Sequence, residues 1–342
     1  MNGLRQDLLN TVDRICEQRC SKDLRAAAEA GQWPADLWRA LEEVGLTKAV
    51  LPEAAGGAGL DFEDAMLALR RAAYHAAPVP LAETMLAGRL LAAAGLTVPA
   101  GALTIAPVFS NEILELKNKT VSGTAHRIPW GNQCAHAVVV GRDEVGLVSL
   151  EGLKSVVEKN LAGEPRAQLR FDSMPLVAVA ALAGARERLE AEGALIRSVQ
   201  MAGALERVLE HSLRYASERV QFGRPIGKFQ AVQHLLAMLA AQAAAASAAA
   251  DAAVEASQAA ADDFAVAVAK SRIGEAAGKG AEIAHQVHGA MGFTREHDLH
   301  YSTRRLWSWR DEFGNETYWQ ARLGRVVAAA GADALWPMLT RL

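Results

Sequence analysis

The sequence lacks the features that define several large classes of protein. Its 342 residues include only three cysteines, too few for a disulfide framework, and Cys16 and Cys20 alone cannot complete a zinc site. Lys and Arg total 36 against 39 Asp and Glu, so the net charge is −3 and the basic excess that nucleic-acid binding requires is missing. We therefore expect a protein of the reducing cytoplasm that does not bind nucleic acid.

Long uninterrupted apolar runs are also missing. The first residues carry no cationic segment followed by an apolar stretch, so no secretory signal is expected. The Ala-rich tract 240–261 is interrupted by polar residues such as Gln242, Asp251 and Glu255, which favours a soluble helix over a membrane span. The sequence therefore predicts a cytoplasmic location and no membrane partner.

What is present is an α+β pattern in three successive regions. Apolar residues at helical spacing predict an N-terminal α-helical domain over 1–102. Short β-branched runs bounded by Gly, Asn and Asp predict strands over 103–183, and since no long helix separates them the sheet is expected to be mainly antiparallel, a small barrel or a sandwich. Long apolar-periodic blocks predict a C-terminal four-helix bundle over 184–342.

Two segments are hard to explain by packing alone. The first, 219–230, places an Arg and aromatic residues at a turn, because one long helix ends near Gly223 and the next begins after Pro225. Such a turn presents a charged fork and flat rings to a ligand with phosphates and an aromatic ring system. A simple helix C-cap with a cation near the dipole explains the same pattern about as well.

The second segment, 286–293, interrupts a helix with small residues. Gly289 and Gly292 leave backbone N–H groups open for an anion or for the edge of a nucleotide. The spacing is neither the dinucleotide-binding fingerprint nor a P-loop, so this segment alone is a weak indication.

Together and in this order, these segments resemble the acyl-CoA dehydrogenase family. The resemblance extends to the N-terminal residues 37–46, to the Pro-Glu and Gly-Gly loop at 51–59, and to the C-terminal signature at 215–234. It implies a helical, β, helical fold and an FAD-dependent enzyme. Such an enzyme introduces an α,β double bond into an acyl-CoA and passes the electrons to an electron-transfer flavoprotein.

The resemblance also assigns cofactor residues. The positions that contact the pyrophosphate and adenine side of FAD hold Arg219, Phe222, Phe229 and Gln230. The positions where a neighbouring subunit closes over the adenosine hold Gln286, Gly289 and Ala290. The assembly implied is a homodimer, a homotetramer or a heterotetramer with a homologous subunit.

The expected catalytic base is displaced. The family's usual base is a Glu followed by Gly and Thr, and the matching position holds Phe313, which cannot accept a proton. The adjacent carboxylates Glu312 and Asp311 are the candidate catalytic residues, with a salt-bridged pair as the alternative. In some members the base lies early in the first C-terminal helix, which falls at Gly193, one position from Glu192.

A second departure is the family's flavin-covering loop, for which Ser110-Asn111-Glu112 is the nearest candidate. Both departures resemble members that act on bulky or steroid-like acyl-CoAs as two unlike subunits. Three hypotheses stay open: an acyl-CoA dehydrogenase, a non-catalytic subunit that shares an FAD site with a catalytic homologue, and a monooxygenase-like relative that uses oxygen.

Four histidines form two His-x-x-His pairs, but no third ligand at a metal-binding spacing accompanies them, so no metal is predicted. They are His285, His288, His297 and His300.

Overall fold

The fold was obtained as a computed structural model that describes residues 3–258 and 260–340. The N-terminal region is helical, as predicted. Its helices are α1 (Gly3–Arg19), α2 (Lys22–Glu29), α3 (Ala35–Glu43), α4 (Phe62–Tyr74) and α5 (Leu81–Ala93). The predicted loop separates α3 from α4, and α5 is buried along almost its whole length.

The middle region forms two open sheets. Its strands are β1 (Leu103–Ala106), β2 (Glu115–Lys117), β3 (Thr120–Pro129), β4 (His136–Val140), β5 (Glu144–Ser149), β6 (Ser155–Lys159), β7 (Pro165–Pro175) and β8 (Ala178–Ala181). One sheet has the order β1-β4-β5-β8 and the other β2-β3-β7-β6. All pairs in them are antiparallel except β1 with β4. The antiparallel prediction is confirmed, and the barrel alternative is wrong because neither sheet closes on itself.

The C-terminal region is helical but more divided than predicted. It consists of α6 (Ala185–Glu218), the hairpin strands β9 (Val220–Gln221) and β10 (Arg224–Pro225), and the helices α7 (Gln230–Ala256), α8 (Asp263–His288), α9 (Leu299–Asp311), α10 (Glu316–Ala330) and α11 (Ala332–Leu339). The first long helix ends before the predicted Gly223, because a hairpin follows it. The last predicted helix is split where Asn315 caps α10 by accepting a hydrogen bond from the Tyr318 N–H at 3.1 Å.

Helix α6 is the central element of the bundle and packs against α4, α7, α8 and α9. Its crossing with α4 requires a glycine, since a Cβ at Gly203 would overlap the carbonyl oxygen of Arg70. On the other side, a Cβ at Gly280 of α8 would meet the Leu205 side chain at 2.7 Å. Small residues thus allow the close approach of the helix axes.

Helix α7 keeps a largely exposed apolar surface. By length and composition alone it is apolar enough to cross a membrane, and 22% of its most apolar stretch is buried. The buried residues, among them Leu239, Ala246 and Ala250, face the bundle, whereas Met238 is 48% exposed. The helix therefore uses one face for the fold and leaves another uncovered.

Candidate functional site

The connection between α6 and α7 is a strained two-residue hairpin. The two residues between β9 and β10, Phe222 and Gly223, have φ angles of +52° and +78°. Asn and Gly usually occupy both positions of such a turn, because other side chains are strained there. The Phe222 side chain is nevertheless 92% exposed. A strained residue that contributes little to packing indicates a functional role for its ring.

Cationic and aromatic groups surround this hairpin. The rings of Phe222 and Phe229 meet edge to face at 6.1 Å, and the Arg224 guanidinium lies 4.3 Å from the centre of the Phe229 ring. Arg219 and Gln230 are exposed. Across residues 3–258 and 260–340, Arg219 has no ion-pair partner. Its charge is thus available to a ligand.

The second candidate segment follows α8. Gly289 has φ +58° and ψ −140°, a conformation restricted almost entirely to glycine. No atom lies within 4 Å of a Cβ built there, and Gln286 and Ala290 are exposed. The backbone at this break is therefore open to close approach by a ligand.

The structure brings the two segments to the same end of one chain. Tyr215, near the end of α6, stacks on His288 at the end of α8 with ring centres 4.5 Å apart. An exposed guanidinium, exposed rings and an open glycine backbone together match the phosphates and flat rings of a dinucleotide. These residues therefore fit the nucleotide part of FAD.

The two candidate carboxylates have opposite surroundings, and Glu312 is the buried one. Its Oε1 lies 2.5 Å from Nη2 of Arg166, and its Oε2 lies 2.6 Å from Nη2 of Arg197. It is 6% exposed, and each arginine is 2% exposed. Because both carboxylate oxygens accept from guanidinium groups, they are poorly placed to receive a substrate proton.

Glu312 belongs to a buried set of alternating charges, the Glu312 cluster, that joins α5, α6, β7 and α9. Its members are Glu83, Glu164, Arg166, Arg197, Arg305 and Glu312. Burial alone would raise the pKa of Glu164, but Arg305 and then Arg166 outweigh it and lower that pKa to about 2. Three carboxylates balance three guanidiniums, so the cluster is a closed structural unit.

Asp311, by contrast, is exposed at the end of α9. It lines a cavity of about 270 Å³ together with Phe109, Arg127 and Trp307. Within the part of the chain that the structure describes, its carboxylate forms no ion pair. Glu312 lines the same cavity, but both of its oxygens are paired with arginines, so Asp311 is the candidate carboxylate that can accept a proton from a ligand there.

The other two positions associated with the family's base lie against each other. Phe313 is 4% exposed with φ +54°, and a Cβ at Gly193 would overlap its ring. Neither residue can accept a proton. Glu192, next to Gly193, is 1% exposed and is held 2.8 Å from Arg188 and 3.2 Å from Arg89. The space between α6 and the α9–α10 turn is thus filled.

The segment Ser110-Asn111-Glu112 anchors a neighbouring strand. Oε1 of Glu112 accepts a hydrogen bond from the His126 backbone N–H at 2.9 Å and lies 2.8 Å from Nδ1 of the same residue. This contact joins the loop to β3. Sequence reasoning missed Arg127 and the actual partners of Glu312, Arg166 and Arg197, which belong to no motif.

None of the described residues form a group of three or more His, Cys, Asp or Glu side chains suited to a metal ion. His285 instead stacks between Phe293 and Trp307, with ring centres at 4.3 and 5.5 Å. His288 and His297 pack against Tyr215, and His211 packs against His297.

Comparison with known families gives two matches on this chain. Residues 4–97 match the acyl-CoA dehydrogenase N-terminal domain, and residues 183–311 match the acyl-CoA dehydrogenase C-terminal domain. The chain therefore belongs to the acyl-CoA dehydrogenase family. Members of this family are FAD-dependent oxidoreductases, so the predicted family and cofactor are confirmed.

Individual proteins agree with this assignment. The chain is 30% identical to acyl-CoA dehydrogenase IpdE2 of Mycolicibacterium smegmatis, over 87% of this chain and 91% of that protein. It is 32% identical to acyl-CoA dehydrogenase FadE34 of Mycobacterium tuberculosis over 90% of its own length, but it spans only 44% of FadE34.

Solved structures show the same fold. A variant of the Tcur3481-Tcur3483 steroid acyl-CoA dehydrogenase superimposes with a TM-score of 0.86 at 25% identity, covering 95% of this chain and 98% of that one. The ChsE4-ChsE5 complex from Mycobacterium tuberculosis gives 0.85 at 24% identity, covering 97% and 99%.

Proposed function

We propose that this chain is a subunit of an FAD-dependent acyl-CoA dehydrogenase that introduces an α,β double bond into a bulky, ring-bearing CoA thioester. We further propose that the electrons pass to an electron-transfer flavoprotein and that the reaction takes place in the cytoplasm. The observation that carries the proposal is the contrast between two carboxylates that line the 270 Å³ cavity: the oxygens of Glu312 are occupied by two arginines, whereas Asp311 has no ion pair among the described residues.

In the proposed reaction, Asp311 accepts the proton from the α-carbon of the acyl group at a carboxylate oxygen. FAD, when bound, supplies the acceptor for the hydride that leaves the β-carbon. Phe109 and Trp307 line the same cavity and supply aromatic surface for the acyl group. The Glu312 cluster fixes the turn after α9, so Asp311 is presented from a rigid support.

An oligomer is part of the proposal, because the two halves of the FAD site lie far apart in one chain. Arg197, beside the Asp311 turn, and Arg219, at the nucleotide end, are separated by 22 residues of α6, or about 33 Å at 1.5 Å per residue. The cavity of one chain is therefore proposed to work with the nucleotide end of another, with the exposed face of α7 as a subunit contact.

A second candidate function is favoured by the contact of Phe313 with Gly193. Since both positions associated with the family's base lack a carboxylate and fill each other's space, this chain is alternatively the non-catalytic member of a heterotetramer. It then supplies the nucleotide end of an FAD site whose base belongs to a homologous subunit. The similarity to ChsE4-ChsE5, a complex of two chains, supports this alternative.

The choice of a ring-bearing substrate rests on the relatives. One similar structure is described as a steroid acyl-CoA dehydrogenase. In this chain most of the cavity lining is polar or charged, and Phe109 and Trp307 supply the aromatic surface against which an apolar ring can pack.

Flavin content and anaerobic bleaching by a panel of short, branched and ring-bearing CoA esters test the proposal. If the chain is catalytic, the protein purified alone is yellow and a ring-bearing ester bleaches it. Asp311→Asn should slow bleaching by about 10²-fold or more with flavin content unchanged. Asp172→Asn, an exposed carboxylate on β7, is the matched control and should bleach normally.

The alternatives give different results. Colourless protein that becomes yellow only with a homologous partner, and Asp311→Asn without effect in that complex, would support the non-catalytic subunit. Flavin that is unaffected by any CoA ester under anaerobic conditions but consumes oxygen with substrate would favour the monooxygenase-like alternative.

A further inference from the structure

Arg127 has a strained backbone at the wall of the Asp311 cavity. Its φ is +51°, in the left-handed region where the Cβ of an L-residue crowds the following carbonyl oxygen. Arg127 lies where the register of β3 against β7 shifts, between Ala125 and Ile128. Bulges of this kind re-aim a side chain and are common beside active sites.

Contacts on both sides hold this bulge in place. On one side His126 is joined to Glu112 through its backbone N–H and its ring. On the other, the Trp130 N–H donates to the carbonyl of Pro165 at 3.0 Å. The unusual conformation of Arg127 is therefore imposed by the surrounding fold.

The Arg127 side chain has little role in the fold itself. It is exposed and, in the described residues, has neither a hydrogen bond nor an ion pair; its guanidinium carbon lies 5.7 Å from the centre of the Phe109 ring. Glycine would adopt the same backbone conformation without strain. Arg166, which lines the same cavity, is instead fully engaged with Glu164 and Glu312.

We propose that Arg127 is a ligand-contacting residue, and that its guanidinium binds an oxygen with full or partial negative charge on the molecule in the 270 Å³ cavity. Asp311 and Glu158, which also line the cavity, repel anions, and Arg127 is a cation that offsets this repulsion together with Lys159. The inference rests on the proposed function, which provides two sources for such an oxygen. One is the reduced flavin ring, and the other is the CoA thioester.

The experiment uses the flavin-loaded protein, alone or with its homologous partner, and compares Arg127→Gln, Arg127→Gly and Arg127→Lys with wild type. Arg127→Gly relieves the backbone strain, so it tests the charge without endangering the fold. The matched control is Arg170→Gln, an exposed arginine on β7 opposite Thr124 of β3. The two measurements are the flavin reduction potential and the affinity for benzoyl-CoA, which has no α-hydrogen to react.

If the oxygen belongs to the flavin, Arg127→Gln and Arg127→Gly lower the equilibrium constant for flavin reduction about tenfold. The reduction potential then falls by about 30 mV for a two-electron couple. If the thioester is the source, the Kd of benzoyl-CoA rises about tenfold at an unchanged potential. In either case Arg127→Lys retains most of the wild-type value.

Unchanged potential and unchanged benzoyl-CoA affinity in both Arg127→Gln and Arg127→Gly overturn the inference. An equal change in Arg170→Gln also overturns it, since the effect would then be one of net charge. A wild-type protein that binds neither FAD nor CoA esters, alone or with its partner, refutes the proposed function as well. Ligand binding that all variants share refutes only the inference about Arg127.

Discussion

The Glu312 cluster and the hairpin between α6 and α7 contain similar residue types in opposite surroundings. In the cluster, Arg166 and Arg197 are each 2% exposed and each contacts a carboxylate. At the hairpin, Arg219 is exposed without an ion pair among the residues described, and Phe222 is 92% exposed in a strained conformation. One region is complete within the chain, and the other presents groups that the chain does not satisfy.

This difference shows that residue type alone does not identify a site. A buried arginine with its carboxylate partners contributes to the fold, and its loss is expected to appear in stability. An exposed arginine on a strained turn contributes little to the fold, and its loss is expected to appear in ligand binding. Substitutions in the two regions should therefore separate these two measurements.

The largest expected effect comes from breaking the Glu312 cluster. Glu312→Ala leaves the three buried guanidiniums of the cluster with only two carboxylates, Glu83 and Glu164, which should cost about 3–5 kcal/mol of unfolding free energy. Urea unfolding followed by circular dichroism measures it. The control is Glu218→Ala, an exposed carboxylate at the end of α6, which should change stability by less than about 0.5 kcal/mol. A loss below about 1 kcal/mol for Glu312→Ala would contradict the structural role.

A smaller effect is expected from the contact between Gly193 and Phe313. Gly193→Ala places a methyl group into the Phe313 ring and should destabilise the protein by about 1–3 kcal/mol. In a Phe313→Ala background the clash is gone, and the same change should be neutral or stabilising by up to about 1 kcal/mol, because Ala is the better helix former. A double-mutant cycle measures the coupling. Additive effects of the two substitutions would mean that these residues do not touch.

Substitutions at the hairpin should instead change the affinity for FAD. Arg219→Ala is expected to raise the Kd of FAD about tenfold, or about 1.4 kcal/mol, with the urea midpoint of the apoprotein unchanged. Fluorescence titration with FAD measures the affinity. Arg214→Ala, an exposed arginine on the same helix with Glu210 as its partner, is the control and should bind FAD as wild type does. Unchanged FAD affinity in Arg219→Ala would refute the placement of the cofactor at this hairpin.

Much of the architecture could be predicted from the sequence, because periodic apolar patterns and turn residues are local signals. The helical, β, helical order and the loop before α4 followed from such patterns. The barrel alternative failed because closure depends on how β1 pairs with β4 across some 30 intervening positions, from Leu103 to His136, and no local pattern encodes that pairing.

The site was predicted unevenly for the same reason. The motif residues at 219–230 could be named as candidates because they are adjacent in sequence. The partners of Glu312, Arg166 and Arg197, lie more than 100 positions away, so the sequence offered no means of distinguishing Glu312 from Asp311. The positive φ of Arg127 was equally hidden, since arginine carries no expectation of a left-handed backbone.

The smallest expected effect concerns how the stability of the two regions depends on pH. Burial, followed by the charge of Arg207, lowers the pKa of His211 to about 3 near the hairpin end of α6. Because the folded pKa lies below the ordinary value of 6.5, the unfolded chain alone takes up this proton as the pH falls from about 6.5 towards 3. Stability from His211 is therefore complete above 6.5 and decreases by about 1.4 kcal/mol per pH unit below it.

The Glu312 cluster responds in a different pH window. Glu164, with its pKa lowered from 4.5 to about 2, loses its contribution only below about 4.5. Between pH 6.5 and 4.5, His211→Asn should thus reduce the slope of stability against pH by about 1 kcal/mol per unit, while leaving the decline below 4.5 in place. Urea midpoints at half-unit steps of pH measure it, with His234→Asn, an exposed histidine on α7, as the control. An unaltered slope in His211→Asn would show that His211 takes up its proton in the folded chain as readily as in the unfolded chain. The charge of this histidine would then be as well compensated as the charges of the Glu312 cluster.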